Sequence, residues 1–261
     1  MNRSGFSMIG MLFSLACIAI LIAIAVPSMR QSMTGLKEDG GKAAVSGWGM
    51  QDQVRLYGLM QSLNAQGLSS GDGYPQPSRI TGSGDVSEDT TANLYSYLVM
   101  QRYITPDQLV SPADYVTDPD DDFDWTLYSP RDKIYWDPSF SADLSDISNV
   151  SYAHMPMYGD RLKRNWGSGM SLRSSFPIFG NRGPRDGIET QDSYACFDGL
   201  WGGYVAFGDG HVEFLRSPAM FTGGQGMGDG LFTIDDESRH GDAILGFTSS
   251  MGPDGPVLQW D

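Results

Sequence analysis

His211 and Glu213 stand two residues apart. Strand alternation would put both side chains on one face. An imidazole beside a carboxylate can ligate a metal ion or pass a proton. His154 and His240, the chain's other histidines, are the further ligands such a site would draw on. No HExxH, CxxC or Ser-nucleophile elbow accompanies them. The pair therefore reads as the surface of a strand beside a turn, and no catalytic residue is expected. The densest acidic cluster is Asp118, Asp120, Asp121, Asp122 and Asp124. Close carboxylates suit Ca²⁺. The spacing, however, lacks the Gly at position six and the Glu at position twelve of an EF-hand loop. A solvated acidic loop is the ordinary reading. Asp118, Asp120, Asp122 and Asp124 are the calcium candidates, and no other cofactor is expected.

The elements that would carry these residues can be read from pattern. Tyr204–Phe207 and His211–Leu215 are β-rich runs joined around Gly208-Asp209-Gly210. Asp-Gly between such runs is a strong hairpin signal, because a tight turn needs positive φ. Upstream, residues 42 to 66 have helical spacing, with Ala44, Trp48, Val54, Leu56, Leu59, Met60 and Leu63 assigned to one broad face. That face should rest on a sheet. Glycines at 40 and 41 suggest a break before it. Residues 67 to 89 are rich in Gly, Ser, Asp and Pro and read as loop. Leu94, Tyr97, Leu98 and Tyr103 suggest a short helix, and Pro106 a second short turn. One or two short strands are expected after Pro218, and an edge strand in the tail Gly255–Asp261.

Composition narrows the function. The chain has 261 residues and a net charge of −15. Nucleic acid and anionic lipid both call for Lys/Arg stripes, so neither is an expected partner. The two cysteines, Cys17 and Cys196, lie in the apolar head and the polar body, so no disulfide framework is expected within the chain. The 33 glycines and 14 prolines indicate a loop-rich domain rather than a helical bundle.

The head is the most informative segment. Phe6–Met29 carries no charge, and only Met1–Gly5 precede it. A helix of about 24 residues rises roughly 36 Å, enough to cross a bilayer core of about 30 Å. Three readings are open on the residues alone. A removable export signal needs a shorter apolar region, and Pro27 sits just past the Ala23-Ile24-Ala25 cut. A plain membrane anchor fits the length. So does the buried spine of a filament subunit.

The residues Gly5-Phe6-Ser7-Met8-Ile9, the Leu/Ile/Ala-rich run and Ala25-Val26-Pro27 together resemble the leader and first helix of type IV prepilins. The resemblance implies cleavage after Gly5 by a prepilin peptidase and N-methylation of Phe6. It also implies a helix proline at Pro27, which loosens the backbone locally. Prepilins carry Glu four residues after the Phe, where its carboxylate is thought to pair with a neighbour's N-terminal ammonium; this chain has Gly10. Tip subunits of type II secretion pseudopili similarly lack that Glu. Downstream, "YVAFGDGHVEFL" is similar to the C-terminal signature of a planctomycete-type pilin-like family named for His, nine residues, then Asp-Gly. Asp209-Gly210 matches, and Gly199 stands where the His would be. "QVRLYGLMQSLNAQG…GYP", "YLVMQRYITPDQLVSPAD" with Ser111 at the family's Cys, and "GNRGP" at 180–184, expected as a loop, match further pieces in order.

The resulting expectation is an α+β, pilin-like fold in which a long N-terminal helix packs on an antiparallel sheet with long loops. Residues 1–5 would be the leader, 6–29 the transmembrane or filament-core helix, 30–66 its continuation, and 67–261 an extracytoplasmic globular domain. The implied function is structural: a minor pilin or pseudopilin of a type IV pilus or type II secretion-like system in the bacterial inner membrane. Its partners would be the prepilin peptidase, other pilin or pseudopilin subunits and the inner-membrane assembly machinery. The alternative is a membrane-tethered module binding carbohydrate or another envelope polymer through loop aromatics. A secreted hydrolase would need paired acids, present here only as an unplaced surplus.

Overall fold

The computed structural model describes residues 48–71, 73–112, 114, 117, 123–166, 176–184, 188, 201–218, 230–233 and 243–260. The chain divides into two units, Met1–Ser46 and Gly47–Asp261, and every described residue belongs to the second. Among the described residues no helix is long and apolar enough to cross a membrane, and Phe6–Met29 lies outside them.

The architecture is α+β around an antiparallel sheet. Helix α1 (Trp48–Ser70) is followed by short α2 (Pro77–Ile80), α3 (Thr91–Met100) and α4 (Gly159–Asn165). Strands β1 (Tyr152–His154), β2 (Pro177–Asn181), β3 (Gly203–Phe207) and β4 (Val212–Leu215) pair antiparallel in that spatial order. Strands β5 (Phe247–Gly252) and β6 (Gly255–Gln259) form a separate hairpin, joined to β1 by the His154–Gly246 bridge. The tail strand is thus half of its own hairpin.

Helix α1 packs on β2, β3 and β4, as its apolar spacing predicts. Leu56, Leu59, Met60 and Leu63 are buried against the sheet. Val54 does not join them and is 63% exposed. At 100° per residue it lies about 160° from Leu56, measured the short way round the helix, on the outer side. The helix also runs past Gln66 to Ser70. The predicted loop over 67–89 contains α2 and a 3₁₀ turn at Val86–Glu88. Asp89 holds them down, accepting from Ser78 N (2.8 Å), Ser78 Oγ (2.9 Å) and Gln76 Nε2 (2.7 Å).

Helix α3 starts where Thr90 accepts from Asn93 N, an N-cap that satisfies an orphan donor. It ends at Met100, so Tyr103 lies beyond it rather than on its face. Tyr103 N donates to Leu98 O and Arg102 N to Val99 O, a Schellman closure. A 3₁₀ turn at Pro106–Leu109 follows, with Thr105 and Gln108 forming a capping box.

Strands β2 and β3 are buried along their whole length, so both faces of the sheet centre are covered. One face carries Phe179, which meets Tyr95 of α3. The other carries Gly180, where an added Cβ would lie 2.8 Å from Leu245 Cδ1. That close approach explains a glycine inside a strand. The predicted hairpin is present: β3 and β4 pair from Gly203–Leu215 to Ala206–Val212, and Gly210 turns the chain with φ of 89°.

Candidate functional site

The residues singled out by sequence fall in different places. Gly5, Phe6, Gly10, Pro27, Asp118, Asp120, Asp121, Asp122 and His240 lie outside the described residues. Asp124 is described and exposed; it caps a 3₁₀ turn, accepting from Thr126 N (2.8 Å) and Thr126 Oγ1 (2.6 Å). These hydrogen bonds hold its carboxyl below the usual range.

Asp209 and Gly210 sit in the β3–β4 turn, where His211 Nδ1 and N both bond the Asp209 carboxylate. The His211 ring stacks on Phe207 with centroids 4.4 Å apart. Glu213 is exposed on β4. His154 cannot complete a site with them. It lies on β1, at the far edge of the sheet, three strand spacings or about 14 Å away. It is fully buried, and burial lowers its pKa to about 4. Thr91 Oγ1 accepts from Thr248 N, which leaves its proton for His154 Nε2 at 2.8 Å; Nδ1 then donates to Met155 O. His154 is a neutral joint between α3, β1 and β5. Among the described residues no group of three or more His, Cys, Asp or Glu could hold a metal ion.

What the fold does bring together is a buried polar junction centred on Asp52. This residue lies on the sheet-facing side of α1 and is completely buried. Tyr152 donates its hydroxyl to Oδ1 at 2.6 Å and Ser111 to Oδ2 at 2.9 Å. Asn181 adds a side-chain hydrogen bond. Burial pushes the Asp52 carboxyl up; the bonds from Tyr152, Ser111 and Asn181, with the Arg55 charge, pull it down without cancelling the rise.

The junction extends into the neighbouring loops. Ser111 N donates to Ser151 Oγ at 2.9 Å, and Arg182 N donates to Ser151 O at 3.3 Å. The Arg182 guanidinium reaches Asp114 at 3.4 Å, and Asp114 also accepts from Thr117. Asn181 Oδ1 accepts from Tyr204 N at 2.7 Å, and Trp201 Nε1 donates to Arg182 O at 2.9 Å. The helix segment, the Ser111–Asp114 loop, the Gly180–Pro184 segment and the start of β3 therefore meet at one corner. Gly180 and Asn181 are strand residues there, not loop as expected.

Chemically this is a clamp. Asp52 and Tyr152 are fully buried, so neither meets a solvent-borne substrate in this conformation. A buried carboxylate is tolerated only when its acceptor positions are filled, and here three side chains fill them. Sequence reading passed over Asp52, since a lone acid on a helix reads as solvent-facing. Its offsets of four, seven and eleven from Leu56, Leu59 and Leu63 were the available signal. Comparison with protein-family models, with curated proteins and with solved structures returns no match for this chain.

Proposed function

We propose that this chain is a structural subunit of a pilin-like filament, a minor pilin or pseudopilin matured by a prepilin peptidase between Gly5 and Phe6. The observation that carries the reading is the Gly5-Phe6 junction opening an uncharged run through Met29, with Pro27 near its end. The arrangement of the second unit supports it. Helix α1 lies on an antiparallel sheet, and three of the segments that resemble the planctomycete-type family are tied together at the corner of Asp52, the residue that directly precedes a fourth.

On this reading the apolar helix waits in the bilayer and later packs among other subunits, so its surface stays out of water throughout. An assembly machine must then drive its extraction. Gly10 supplies no carboxylate for a neighbour's N-terminal ammonium, which fits a tip or minor position better than a repeating one. Co-expression with a prepilin peptidase tests this. The wild-type chain shortens by its leader, and Gly5→Val blocks the shift. A chain that never shortens overturns the reading. The tethered polymer-binding alternative keeps its interest because of an aromatic face on the second unit.

A further inference from the structure

We propose that the Phe123–Pro138 segment, together with the end of α3, forms a two-part stacking site for an uncharged polysaccharide. The site is independent of the filament reading. Two grooves flank the 3₁₀ turn Trp125–Leu127. One, of about 340 Å³, is lined by Arg102, Ile104, Thr105 and Trp125. The other, of about 260 Å³, is lined by residues that include Lys133 and Trp136. Each groove thus pairs one indole with one cation.

The platform is held in place before any ligand arrives. Trp125 is 39% exposed, yet its Nε1 donates to Val99 O at 3.2 Å and its ring packs on Phe123 at 5.1 Å. Trp136 is half-buried beside Tyr135. Between them the buried Asp137 carboxylate accepts from Asp124 N, Ser139 N and Ser139 Oγ, while Asp137 N donates to Ser96 Oγ on α3. Rings fixed this way lose little freedom on binding.

The two cations are the unusual part. Among the described residues, Arg102 and Lys133 are the only non-glycine residues with positive φ, each at 60°. Arg102 occupies the Schellman position that glycine normally takes. An L-residue there is strained, and strain of this kind clusters at functional positions. Among the described residues neither forms an ion pair. Each therefore offers unspent N–H donors beside an indole face.

That combination selects the ligand class. Indole faces are electron-rich and attract the C–H faces of a pyranose ring. Guanidinium, ammonium and the Thr105 hydroxyl can donate to sugar oxygens. A polyanion is disfavoured by the chain's net charge of −15. Two grooves sharing one turn suit consecutive sugars of a polymer.

Affinity electrophoresis of the full chain in nonionic detergent tests the site, with hydroxyethylcellulose, galactomannan or polygalacturonate cast into the gel. The expected result is retardation by at least one neutral polymer, weakened threefold or more by Trp125→Ala and by Trp136→Ala. Arg102→Gly and Lys133→Gly separate binding from folding. Each removes a donor while relaxing the backbone, so the melting temperature holds or rises as retardation falls. No retardation by either neutral polymer, retardation by polygalacturonate alone, or glycine variants that bind like wild type would overturn the proposal. Leader cleavage after Gly5 is unaffected by these variants, so its failure would be a separate result.

Discussion

The Tyr152 hydroxyl donates to the Asp52 carboxylate at 2.6 Å, joining residues one hundred positions apart and fixing α1 to the first strand of the sheet. The bond is buried and charge-assisted, so removing either partner leaves the other short of a hydrogen bond where water cannot replace it. Asp52→Ala strands the Tyr152 and Ser111 hydroxyls and should lower stability by about 3 kcal/mol, and Tyr152→Phe by about 2 kcal/mol. The double variant should cost less than the sum, because both changes break the same contact. Urea denaturation of the four proteins measures this.

His154 predicts a pH dependence with a definite sign. Burial lowers its pKa to about 4 from an unfolded value of 6.5. Between these values the unfolded chain holds the proton and the folded chain does not, so stability falls as pH drops. The loss begins near pH 6.5, totals about 3 kcal/mol and levels off below pH 4. Asp52 and Asp89 have raised folded values and act with the opposite sign, their shares being fullest below 3.8. Subtracting the pH curve of His154→Gln from that of wild type removes both and should isolate the histidine slope.

The two sides of α1 should respond differently to truncation. Leu63 is completely buried, and Leu63→Ala should cost about 2–5 kcal/mol through lost transfer energy and a cavity. Val54 faces outward, and Val54→Ala should stay within about 0.5 kcal/mol of wild type. Equal costs would contradict the orientation of the helix on the sheet.

Gly10 carries a prediction about assembly. If a missing carboxylate keeps this chain from repeating positions, Gly10→Glu should raise its share in sheared filaments relative to wild type, since the new carboxylate can pair with a neighbouring Phe6 ammonium. Quantitative blotting of filament fractions reads the outcome, and an unchanged share would sink the lost-pairing argument.

Sequence reading found the elements whose residues favour them locally. The β3–β4 hairpin follows from Asp209-Gly210 between β-rich runs, α3 from its apolar spacing, and the turn at Pro106 from the proline itself. It missed β1 and β2. The first is three residues long, and the second contains Pro177, Gly180 and Asn181, which are poor strand formers. Pairing of β2 with β3 and of β1 with β2, and burial of both strands, impose their extended form, and no local signal reports that. The Asp52 junction was hidden for a related reason. Its partners Ser111, Tyr152 and Asn181 are dispersed in sequence, and only the completed sheet brings them to one carboxylate.

The intact mass of the protein isolated from its native membrane tests the central claim most directly. The account predicts a chain that begins at Phe6 and carries one added methyl group. A chain that still begins at Met1 would contradict it and leave a tethered module in its place.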